Sequence, residues 1–195
     1  MPYLIIGLIL FLGVHSLRIV ADDWRSDQLT QRGEKAWKLG YAALSLIGFA
    51  LIVWGFGQAR QSTVYLWPRL PGMNHLAALL TLIAFVLIAA SQIPRNHIKA
   101  KLRHPMLIGV KIWALAHLLA NNSLADLILF GSFLVWAVLC FRSARQRDRA
   151  GAPAPAAGTP MNTAFAVVGG VAAWALFAFW AHAAWIGVNP LARAS

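Results

Sequence analysis

The chain has 195 residues, of which 59% are hydrophobic and only 12% charged, and its formal net charge is +11. With a positive mean hydropathy, these values exclude an ordinary soluble domain and point to one polytopic membrane bundle. Nucleic-acid binding is also excluded as the meaning of the basic excess, because no basic helix or basic–aromatic surface lies outside the apolar runs.

A spanning helix needs ~20 mostly apolar residues, and six candidates occur, at about 2–20, 37–57, 73–93, 105–120, 124–141 and 163–187. The first follows Met-Pro-Tyr with no basic residue ahead of it, and Arg18, Arg25, Arg32, Lys35 and Lys38 come after it. It is expected to be a retained first helix rather than a cleaved signal. The fourth run is short, and the basic segment 96–104 before it is placed along the membrane surface. Lysine and arginine alternate between the connections: five in 18–38, two in 58–71, four in 94–104, none in 121–123, four in 142–162 and one after 188. The positive-inside rule then puts the first, third and fifth connections in the cytoplasm and both termini outside. The expected fold is an all-α polytopic transmembrane helical bundle of about six spans. Residues 1–141 form a five-helix core, 142–162 a flexible basic and Pro/Ala-rich cytoplasmic linker, and 163–195 a sixth helix and tail. The expected partner throughout is the lipid bilayer, with basic connections meeting anionic head groups and tryptophans near the span ends as interfacial anchors.

Few side chains are left for buried chemistry. The six acidic residues are Asp22, Asp23, Asp27, Glu34, Asp126 and Asp148, and none lies deep in a span. That argues against a carboxylate dyad, a proton relay or an oxygen-ligand metal cage. No Walker or Rossmann glycine pattern occurs. The single cysteine, Cys140, excludes an internal disulfide, a cysteine-based zinc site and a protein-held iron–sulfur cluster, and it reads as a small packed side chain.

Histidine remains. His15 falls in the first span and His117 in the fourth, and two buried histidines on different helices are what a haem or metal would require. The alternative for each is an interhelical hydrogen bond. Arg18 lies at i+3 from His15, on one face with it, and either snorkels to the interface or pairs with a carboxylate such as a haem propionate. Trp113 and Asn121 flank His117 at i−4 and i+4. At 1.5 Å per residue the depths of His15 and His117 differ by ~9 Å. His75 and His182 make a second candidate pair of similar depth toward the outer face. His104, in Arg103-His104-Pro105, sits at the inner boundary, and His97 in the basic surface segment. Lys111 either reaches the cytoplasmic interface along its stem or partners an anion.

The runs Gly13-Val14-His15-Ser16-Leu17-Arg18, Arg32-Gly33-Glu34-Lys35-Ala36-Trp37-Lys38, Arg103-His104-Pro105, Lys111-Ile112-Trp113-Ala114-Leu115-Ala116-His117-Leu118-Leu119-Ala120-Asn121 and His182 to Pro190 resemble the NnrU family of bacterial inner-membrane proteins. The resemblance covers nearly the whole chain. It implies an association with denitrification and nitric oxide metabolism, and respiratory or nitric oxide-metabolising membrane complexes as partners. It also implies a relation to plant 15-cis-zeta-carotene isomerase, a membrane protein with haem b held by histidines. His15-Ser16 looks like the isomerase's first-helix motif, and His117 looks most like its second histidine.

By that resemblance the expected cofactor is haem b bound between His15 and His117, with Arg18 or Lys111 holding a propionate. Three other readings stand beside it: a haem-dependent cis–trans isomerase of a lipophilic polyene, a cofactor-free scaffold for respiratory complexes, and a methyltransferase of the isoprenylcysteine type. The last is suggested by Arg103-His104-Pro105 and opposed by the lack of any glutamate after position 34.

Overall fold

A computed structural model describes residues 1–191. They form an all-α membrane bundle with no β-strand among them: α1 (Pro2–Val20), α2 (Asp22–Ala59), α3 (Met73–Gln92), α4 (His97–Leu102), α5 (Pro105–Ala120), α6 (Leu124–Arg149) and α7 (Pro160–Leu176). Alpha-7 runs on as a π-helix, Phe177–Ile186. Five helices are long and apolar enough to cross a membrane, and Pro105–Ala120 is a sixth, shorter apolar helix. The basic connections gather at one end of the bundle, called here the basic end. The turns around 60–72 and 121–123 lie at the far end.

The helices outrun the expected spans at two places. The basic arm 22–32 is helical and merges into α2, with a break at Gly33 (φ 78°, ψ 158°). That left-handed φ is open to glycine at little cost. Alpha-6 continues to Arg149 because Arg142–Arg149 is rich in good helix formers and carries an i,i+3 pair, Arg145–Asp148, at 3.1 Å. The irregular segment that follows ends pinned. Thr159 N–H donates to Arg95 O at 2.8 Å, and Gly158 lies so close to the His97 backbone that a Cβ would overlap it.

Two helix groups make the bundle. Alpha-1 packs on α2 and α6, α3 packs on α5 and α7, and the α5–α6 contact joins them. Small residues permit the closest approaches, as is usual between helices in lipid, where packing rather than water exclusion holds them together. Gly7 and Gly48 face each other's helices: a Cβ on Gly7 would lie 2.6 Å from Ile52 N, and one on Gly48 2.8 Å from Phe11 N.

At the basic end, α4 is held by Asn96, which is fully buried. Its amide donates to Ala90 O (2.8 Å) and Ile93 O (2.6 Å), and its oxygen caps α4 by accepting from Lys99 N–H (2.8 Å). At the far end, a capping box of Ser123 and Asp126 starts α6. The loop before α3 is strapped to this corner by Leu66 N–H to Asn122 O and Leu124 N–H to Val64 O, both 2.9 Å, and by Asn122 Nδ2 to Trp67 O. Ser123→Ala removes the cap and is expected to cost ~1 kcal/mol. A chemical-denaturation series in mild detergent checks it, and an unchanged midpoint would show that the strap alone holds this corner.

Candidate functional site

Alpha-5 has 16 residues, so it is ~24 Å long against a ~30 Å hydrocarbon core. It is therefore too short to cross that core unaided. The space it leaves, between α3, α5 and the π-helix, is a cavity of about 1050 Å³, at the top of the ~300–1,000 Å³ usual for ligand pockets. Alanines at 77, 78, 120 and 178 line it and keep it open. Three histidines on three helices reach it: His75 at the start of α3, His117 in the last turn of α5 and His182 in the π-helix. Phe85, Trp113, Trp174 and Phe177 supply aromatic wall, and Arg69 supplies a cation.

Each histidine is held differently. The His182 ring lies 2.7 Å, through Nδ1, from Val188 O. A carbonyl only accepts, so Nδ1 carries the proton and Nε2 keeps its lone pair, the tautomer a metal ligand needs. The π-helix that carries His182 is a rare conformation, frequent at functional sites, and it ends at Gly187 with φ 74°. His117 is held by its neighbours' rings: Phe130 stacks on it at 4.3 Å and 11°, and Trp113 meets it edge-on at 5.3 Å. Asn121 Nδ2 donates to His117 O at 3.0 Å, so the i−4/i+4 face of Trp113, His117 and Asn121 is present as expected. His75 is exposed at the cavity wall.

His15 is elsewhere. It lines a second cavity of about 620 Å³ at the basic end, together with Arg18, Arg25, Glu34, Trp37, Lys38 and Tyr41. Its Nδ1 is 2.6 Å from Phe11 O. Between His15 and His117 stands a run of rings: His15 to Trp136 (6.2 Å), Trp136 to Phe133 (6.5 Å), Phe133 to Trp113 (5.5 Å) and Trp113 to His117. The structure therefore places His15 and His117 in different cavities. It does bring together His75 and His182, and it adds His117 to them.

Lys111 lines neither cavity and lies over the Phe141 ring, 3.6 Å from its centroid. That is a cation–π contact in apolar surroundings rather than an anion site. His104 bonds through Nε2 to Asp148 Oδ2 at 3.1 Å, and Arg103 and Arg145 reach the same carboxylate at 3.1 Å. Asp148, 9% exposed, thereby fastens the α6 extension to the α4–α5 turn, and Arg103 takes a positive φ of 62° there. Burial pushes the Asp148 carboxyl up, but His104 and then Arg103 outweigh it and hold it below the usual carboxylate range. A lowered native value contributes stability that is full above the unfolded carboxyl's ~3.9 and is lost as pH falls through the native value. Asp148→Asn is therefore expected to lower the melting temperature near pH 7, with the gap to wild type closing in acid as pH falls through the lowered native value. A gap that persists in acid would place the effect elsewhere.

Reasoning from sequence missed Arg69, Trp174 and Asp148. Only Asp148 left a signal, as a lone acid in a basic run.

Among the described residues no three His, Cys, Asp or Glu side chains stand close enough to hold a bare metal ion. A haem asks for less: one or two imidazoles, an apolar aromatic cleft and a cation for a propionate. The far-end cavity has that donor set. No curated protein and no solved structure matches the chain. The family model described as NnrU protein matches residues 3–190, and the chain belongs to the NnrU family.

Proposed function

We propose that this membrane protein binds haem b in the far-end cavity, where His117 and His182 would hold it and Arg69 would supply a cation for a propionate, and that the site serves nitric oxide-linked redox chemistry or sensing in a bacterial inner membrane. One observation carries the reading: three histidines from three helices open into one aromatic-walled cavity of about 1050 Å³. When bound, haem would supply a redox-active iron.

The chain's own residues do the rest. Val188 O holds the His182 tautomer. Phe130 and Trp113 fix the plane of His117. The loop bonded to Asn122 and Leu124 leads directly to Arg69 at the cavity wall. By the alternation of charge in the connections, this cavity faces the outer side of the membrane.

The test is an absorption spectrum, oxidised and reduced, of protein purified in detergent from haem-replete cells. A Soret band that shifts on reduction is expected. Colourless protein that takes up no added haem would overturn the reading and favour a cofactor-free scaffold for respiratory or nitric oxide-metabolising complexes. The walls of Phe85, Trp174 and Phe177 favour a second reading, a haem-dependent isomerase of a lipophilic polyene. Restored all-trans carotenoid synthesis in a host lacking its isomerase would support it, and failure with well-expressed protein would count against it.

A further inference from the structure

The cavity at the basic end has a composition unlike the first. Its walls are the inner end of α1 (His15, Arg18), the folded-over arm (Arg25) and the start of the second span (Glu34, Trp37, Lys38). Three cations face one carboxylate. Lys38 is taken by Glu34 at 2.7 Å, and Arg25 lies 3.7 Å from Asp22. Arg18 has no ionic or hydrogen-bonding partner among the described residues and is exposed, so its guanidinium is available. The break at Gly33 folds the arm back over this end of the bundle, which is why charges separated along the chain meet here.

The remaining lining is mostly apolar: Val14, Leu17 and Leu29, with the Trp37 and Tyr41 rings. Trp24 and Trp37 pack edge to face at 5.8 Å beside it, as interfacial tryptophans do at head-group level. A cavity with a free guanidinium at its rim and aliphatic walls suits an anion that carries a hydrocarbon tail.

We propose that this cavity binds the phosphate of an anionic phospholipid from the cytoplasmic leaflet, with Arg18 and Arg25 on the phosphate oxygens and its glycerol and upper acyl segments against Val14, Leu17 and Leu29. Arginine suits the task because its planar fork matches phosphate oxygens two at a time. The site is separate from the histidine cavity, so its occupancy stands or falls independently of haem binding.

The experiment uses the full chain in nanodiscs of equal phosphatidylglycerol and phosphatidylcholine, extracted into mild detergent, with retained lipid counted by native mass spectrometry. Wild-type protein is expected to keep phosphatidylglycerol over phosphatidylcholine. Arg18→Gln is expected to lower that ratio at least about fivefold, the scale of losing one cation beside an anionic lipid. Arg32→Gln, which removes a charge from the adjoining arm but lines no part of the cavity, is expected to keep the wild-type ratio. Equal retention of the two lipids by wild-type protein would overturn the proposal. So would an equal fall in both variants, since the attraction would then be diffuse. Displacement of the lipid by millimolar inorganic phosphate would assign the site to soluble phosphate and overturn the lipid as its source.

Discussion

His182→Ala is expected to abolish the Soret band or convert it to a different ligation state, and His117→Ala to do the same, while His15→Ala keeps the wild-type spectrum. The two sensitive positions share one cavity, and His15 lines the other. His182 has the stronger physical case, because its Nδ1 proton is committed to Val188 O and its free lone pair is therefore on the ligating nitrogen. Replacing it removes a ligand without opening a core, since the side chain is only partly buried. Loss of haem ligation costs the cofactor at ordinary concentrations, so the effect reads as presence or absence rather than as a small shift. Imidazole added to purified His182→Ala protein is expected to restore the wild-type bands, which a merely unfolded variant cannot do. His75→Ala distinguishes the remaining arrangement: a spectrum lost in His75→Ala and kept in His117→Ala would exchange those two roles. Haem lost together in His15→Ala and His117→Ala, but kept in His182→Ala, would sink the proposed ligand set.

The largest effect on stability is expected at Gly55. Leu4 N and the Tyr3 carbonyl carbon occupy the place a Cβ would take there, and both are backbone atoms that no rotamer change can move. Gly55→Leu must therefore push α1 away from α2 along the face that also holds Gly7 and Gly48. Overpacking of this kind costs ~1–3 kcal/mol in ordinary cores. The upper end or beyond is expected here, because a rigid backbone opposes it and the fully buried Leu4 would lose its packing. A total stability of ~5–15 kcal/mol makes that a large fraction. Gly57, two residues along, has no neighbouring atom within 4 Å of the place its Cβ would take, so Gly57→Leu is expected to be near neutral. Thermal unfolding of both variants in one detergent gives the comparison. Similar melting temperatures would show that α1 can slide without loss and that the close approach is not what holds the pair.

Much of the fold is legible in the chain because lipid imposes a simple rule: apolar runs cross and basic connections stay on one side. That rule is blind to charged helices. It therefore says nothing of the helical arm 22–32 or of the turns that carry α6 on to Arg149, both set by helix propensity and local pairing. The histidine site is legible in part. Depth along the helices groups His75 with His182, and the ~9 Å difference between His15 and His117 is the readable sign that these two part company. What the sequence hides is rotation. His182 reaches the cavity from a π-helix, and no residue pattern in 177–186 marks that geometry. Arg69 arrives from a loop whose place depends on hydrogen bonds to Asn122 and Leu124, contacts made between backbones far apart in the chain.

The rings between the two cavities have a consequence for the membrane itself. Hollows with a cation at the wall enter the bundle from both ends, which in a looser protein would be the two vestibules of a leak. Here Trp136, Phe133, Trp113 and Phe130 fill the middle. An ion passing from Arg18 to Arg69 would have to shed its water against hydrocarbon, at an idealised cost of tens of kcal/mol. The aromatic plug thus keeps the two hollows of one small bundle apart.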